Sequence, residues 1–78
     1  MTAEEAERLL EEMVAQQERK LQALGARLAP ELTAEDLLQP QDYAVLRESG
    51  EFNYEDGILA GLRAAAIALR AARRGTAG

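Results

Sequence analysis

Leu10, Met13, Val14, Leu21, Leu24 and Leu28 recur at three- and four-residue steps along the first third of the chain. At 100° per residue they fall on one arc about 100° wide, with glutamates, arginines and glutamines on the other side. The spacing predicts an amphipathic helix over residues 3–29. Thr2 with Glu5 forms a capping box that opens it. Pro30 closes it, because the residue before a proline is pushed out of the helical region. At 1.5 Å per residue such a helix is roughly 40 Å long. Gln17 lies in the middle of the apolar arc. A buried amide needs a hydrogen-bond partner, and a lone polar residue in a helical seam can fix register and partner number. Two readings stand: Gln17 bonds a symmetry mate in a dimer, or it bonds locally within one chain.

Residues 30–53 are broken up by turn formers. Thr33 with Asp36 predicts the cap of a short turn over Ala34 to Leu38. Pro40 suits the start of a second short helix running to about Glu48, and Gly50 reads as its terminator. Asn53 then reads as the cap of a final helix from Tyr54 to about Arg74, with Glu55 and Asp56 at its positive end and Arg70, Arg73 and Arg74 at its negative end. Gly75 is expected to stop it, leaving residues 75–78 as a disordered tail.

This final helix carries an unusual stripe. In projection Ala60, Ala71, Ala64, Gly57, Ala68, Gly61, Ala72 and Ala65 form one arc of small side chains, roughly 140° wide. Glycine inside a helix costs about 1 kcal/mol relative to alanine, so Gly57 and Gly61 suggest a close helix contact. The neighbour is either the first helix of the same chain or a second subunit. Gln17, Gly57, Gly61, Ala65 and Ala68 are therefore the expected packing or dimer residues.

Charge is unevenly placed within a net of −5. Residues 1–30 hold six acids and four bases, residues 31–56 hold eight acids and one base, and residues 57–78 hold four arginines and no acid. The acidic balance disfavours nonspecific nucleic-acid binding. The Arg63, Arg70 and Arg74 stripe keeps a nucleic-acid-associated regulator as one alternative. Its competitor is pairing with Glu4, Glu5, Glu7 and Glu11 in an antiparallel hairpin. No run approaches a membrane span, and the acidic start is unlike a signal peptide; a cytoplasmic protein with no membrane contact is expected.

Catalytic material is scarce. There is no histidine and no cysteine, and Ser49 is the only serine, so nucleophilic chemistry lacks an activating base. Glu48, Glu51, Asn53, Glu55 and Asp56 invite a carboxylate metal site, the second alternative. An EF-hand counted from Glu51 puts Asp56 where glycine is required and Leu62 where the bidentate acid belongs, so that template fails. No enzyme activity, metal or cofactor is expected. All three aromatics, Tyr43, Phe52 and Tyr54, lie within twelve residues. They read either as a plug for the open end of the hairpin or, with Glu48, Glu51 and Glu55, as a surface for a basic protein partner.

The resulting expectation is one all-α domain over residues 1–78. A long antiparallel hairpin is capped by two short helices and dimerises into a four-helix bundle. Its expected role is a non-enzymatic interaction module, an adaptor or regulatory subunit acting through the acidic, aromatic-containing end.

Overall fold

The computed structural model describes residues 1–77, and the side chains of residues 1–75. Among the described residues all regular structure is helical. Helix α1 (Ala3–Leu28) and helix α3 (Gly50–Ala77) form an antiparallel hairpin, and the one-turn helix α2 (Ala44–Arg47) lies in the layer that joins them. The molecule measures 47 × 20 × 18 Å. No helix among the described residues is long and apolar enough to cross a membrane.

Helix α1 begins where the sequence places it. The Thr2 hydroxyl accepts the Glu5 N–H at 3.0 Å and donates to the Glu5 carboxylate at 3.2 Å. It ends one residue earlier than expected, at Leu28, and the N–H of the C-cap Ala29 still reaches the Gly25 carbonyl. In the middle, Thr33 and Asp36 exchange hydrogen bonds, each side chain accepting the other's backbone N–H. The expected short helices are smaller than read: two 3₁₀ turns, Asp36–Leu38 and Pro40–Asp42, then α2.

Both ends of α3 differ from expectation. Gly50 starts the helix instead of ending the one before it. The Ser49 hydroxyl accepts the Phe52 N–H at 3.1 Å, and the Ser49 carbonyl accepts the Asn53 N–H at 3.0 Å. Ser49 is thus the N-cap, and Asn53 sits in the first turn, its amide donating to the Arg47 carbonyl at 2.8 Å. At the other end Gly75 does not stop the helix, which is described to Ala77. Glycine weakens a helix interior without forbidding it. Gly78, the rest of the expected tail, lies outside the described residues.

The two long helices meet along a regular seam. On α1 it runs through Glu7, Leu10, Val14, Gln17, Leu21, Leu24 and Leu28, and on α3 through Phe52, Glu55, Leu59, Leu62, Ala66 and Leu69, all buried or half-buried. Steps alternating three and four are the signature of a two-helix coil. Met13, expected in the core, falls beside the seam and is 40% exposed. The core is concentrated at the capped end, where Leu21, Leu24, Ala29, Leu37, Leu46, Phe52 and Leu59 form one cluster. Phe52 and Leu46 are fully buried, each worth about 1.5–3 kcal/mol of apolar burial.

The small-residue arc is not part of this seam. Gly57, Gly61, Ala65 and Ala68 are all exposed, and a Cβ added at Gly57 or Gly61 meets nothing within 4 Å. The expectation that leucines of α1 pack over the glycines is therefore corrected. Phe52, Leu59 and Leu62 offer more apolar area than alanines, and they take the contact. Close approach occurs instead at Gly25, where an added Cβ would stand 2.6 Å and 2.8 Å from the methyl carbons of Leu37.

Candidate functional site

The six residues expected to form an acidic, aromatic partner surface divide among different tasks. Phe52 is core, with no exposed surface. Glu55 is buried at the seam, where its carboxylate meets Lys20 at 3.1 Å. The Gln17 amide donates to the Glu55 backbone carbonyl at 2.9 Å and to its carboxylate at 3.1 Å. Those bonds, the Gln17 donation first and Lys20 second, hold the Glu55 carboxyl below its ordinary range despite the opposing effect of burial. The local reading of Gln17 is thus the one realised within the chain. Glu51 pairs with Arg27 at 3.1 Å.

Tyr43 is half-buried and donates its hydroxyl to Asp36 at 3.1 Å. Asp36 also receives the Thr33 N–H, and these two donors lower its pKa, the backbone donor contributing most. The same bond to Asp36, helped by desolvation, raises the pKa of Tyr43. Glu48 and Tyr54, which is 70% exposed, are open on the surface, and Glu51 is exposed beside Arg27. The aromatics therefore do not converge on one patch.

A different feature of the same layer does stand open. The Asp36–Leu38 turn crosses the seam above Gly25 and leaves a cleft of about 150 Å³ lined by Leu21, Gln22, Leu37, Leu38, Pro40, Asp56 and Leu59. The Glu18–Arg63 pair stands at its rim. Leu38 is 68% exposed there, and Val45 on α2 is exposed as well. Glu31, Glu35, Asp42 and Glu48 of this segment are exposed and enter no ion pair among the described residues. Arg47, its one base, is turned onto the Gln41 carbonyl at 2.9 Å. An exposed leucine in a segment rich in unpaired acids offers both an apolar anchor and a charge preference. The sequence hint was the excess of acids over bases after residue 30. The anchor was hidden, because nothing in "DLL" tells which leucine turns inward.

The arginine stripe is occupied. Arg70 bridges Glu7 at 3.0 Å and Glu11 at 3.1 Å, Arg73 reaches Glu7 at 2.9 Å, and Arg63 reaches Glu18 at 3.1 Å. Glu7 is buried between its two arginines, and the Glu7 bond, followed by Glu11, raises the Arg70 pKa. Releasing these guanidinium groups to phosphates would strand Glu7 at the seam. No group of three or more acids among the described residues is placed to hold a metal ion. The hydroxyl of Ser49 is engaged as a helix cap. Compared with known protein families, curated proteins and solved structures, the chain matches none.

Proposed function

We propose that this chain is a small non-enzymatic interaction module that holds a basic, amphipathic segment of another protein on the outer surface of residues 31–48. The observation that carries the reading is Leu38, exposed at the cleft, in a segment whose Val45 is also exposed and whose Glu31, Glu35, Asp42 and Glu48 are exposed and unpaired. Elsewhere the acids of the seam are matched by arginine or lysine. Apolar anchors supply contact area, and a surrounding charge of one sign selects the partner's sign and speeds encounter. The aromatic residues act behind this surface: Phe52 as its floor and Tyr43 as the strut that holds Asp36.

The test is titration of labelled peptides by fluorescence anisotropy. A Lys/Leu amphipathic peptide should bind, more weakly as salt rises, and matched Lys/Ser and Glu/Leu peptides should bind less. Leu38→Asp and the double reversal Glu35→Lys with Glu48→Lys should each remove most of the binding while leaving the helical dichroism intact. These positions are exposed, so the fold loses little. Equal binding by the folded reversed variant, or no preference among the three peptides, would refute the proposal.

A further inference from the structure

We infer that one flank of the α1–α3 seam is a self-association surface whose occupant is a second copy of this chain, related by a two-fold axis parallel to the helices. Ion pairs distinguish the flanks. Glu11–Arg70 and Glu18–Arg63 bridge the seam on one side, and Leu37 covers Gly25 farther along that side. On the other side Arg27 pairs with Glu51 and Lys20 with Glu55, all toward the capped end. Beyond them the charge on the second flank is Arg73 at the free end, which is turned onto Glu7. The flank presents Leu9, Met13 and Ile58, which are 45%, 40% and 37% exposed, with Gly61, Ala65 and Ala68 between them. A water-facing helix normally places charge on both sides of its seam. Along the free half of the hairpin the pairs Glu11–Arg70 and Glu18–Arg63 stand on one side, and the capping layer folds over that same side.

Two independent complementarities point to a second copy. Leu9 and Met13 are on α1 and the small residues Gly61, Ala65 and Ala68 on α3, which adds one large side chain, Ile58, nearer the capped end. A two-fold axis parallel to the helices sets α1 of each copy antiparallel to α3 of the other. Large residues then stand over small ones on both sides of the axis at once, as an isologous interface requires. The same rotation sets Arg27 of one copy level with Glu51 of the other, opposite in charge. A two-fold axis across the helices would instead oppose α1 to α1 and α3 to α3, with the small residues facing each other across a gap. The whole broad side of the hairpin measures 47 × 20 Å, and a specific interface takes about 800 Å² per partner, so the contact must run along most of the hairpin's length. This surface is separate from the residue 31–48 surface, and either proposal can fail without the other.

Sedimentation equilibrium of the full chain tests it. The wild-type chain should have twice its single-chain mass in the micromolar range. Ala68→Glu, on the apolar flank, should reduce it to the single-chain mass with unchanged helical dichroism. Ala60→Glu, on the charged flank, should leave the dimer intact. Glu7 stands level with Arg70 across the seam, so Leu9 stands level with Ala68. In a chain without cysteine, the double variant Leu9→Cys, Ala68→Cys should form disulfides between copies on oxidation. A single-chain mass for the wild type up to high micromolar concentration would overturn the inference. So would an Ala68→Glu dimer, or Ala60→Glu disrupting as strongly as Ala68→Glu. A dimer that does not cross-link through Leu9→Cys and Ala68→Cys would overturn the axis.

Discussion

Alanine substitution should have opposite effects at two helical glycines. Gly57 is on the outward side of α3, and an added Cβ meets nothing within 4 Å. Gly57→Ala therefore gains helix propensity with no steric cost, about 0.8–1 kcal/mol. For a domain of this size that raises Tm by about 4–8 °C. Gly25 is also helical, and no glycine among the described residues has positive φ, so its propensity gain is the same. Its Cβ, however, would lie 2.6 Å and 2.8 Å from the Leu37 methyls and 3.2 Å from Leu37 Cγ. Leu37 is itself buried in the core cluster, so its whole side chain must retreat and lift the Asp36–Leu38 turn. Overpacking of this kind costs about 1–3 kcal/mol, which cancels or exceeds the gain. The two variants should differ by about 1–3 kcal/mol in urea and thermal melts followed by circular dichroism, at one fixed protein concentration because association shifts Tm. Gly25→Ala melting as high as Gly57→Ala would mean that the turn is not seated on α1.

Two further outcomes follow from the capped end. Ser49→Ala should cost about 1 kcal/mol through loss of the α3 cap, with urea melts as the measure; no loss would return the helix start to Asn53. Glu55 has its pKa lowered in the folded chain, so its contribution is present above the unfolded glutamate range and lost as pH falls through the folded value. The melting temperature should decline as pH drops below about 4.3, and less steeply in Glu55→Gln; an identical decline would place the acid sensitivity elsewhere, with Asp36 the next group to test.

Helix α1 was legible because its signals are local: a threonine cap, a glutamate three residues later and a proline after the end. The start of α3 was not, because Gly50 and Asn53 are better known as a terminator and a cap than Ser49 followed by glycine. What decided it was that the Ser49 oxygens reach the Phe52 and Asn53 amides, a matter of three-dimensional geometry. The seam was half visible. Glu7 and Gln17 obey its three-four spacing yet are polar, so a reading by hydrophobicity keeps Met13 and omits Glu7. The small-residue arc was legible as a face but its neighbour was not: of the two left open, the leucines of α1 do not cover it, and a stripe of alanines tells how closely a helix can come without telling which helix comes. The acidic surface was legible as charge, whereas its apolar anchor required knowing that Leu37 turns in and Leu38 turns out.

The hairpin is held by different forces at its two ends. Near α2 the helices share a dry cluster of leucines around Phe52. At the free end the buried positions are Ala66 and Glu7, and the closing contacts are the bonds of Glu7 and Glu11 to Arg70 and Arg73. Apolar burial is indifferent to counterions, while partly exposed ion pairs are screened by them. The molecule is therefore a zipper with a welded end and a latched one. Its amides should open in sequence from the latch inward, over a gradient of local free energies, and ionic strength loosens the latch more than the capped end, where Arg27–Glu51 and Lys20–Glu55 only flank an apolar cluster. Pairing of two such hairpins through the flank beside the latch would close it, so that assembly and the rigidity of the free end become one equilibrium.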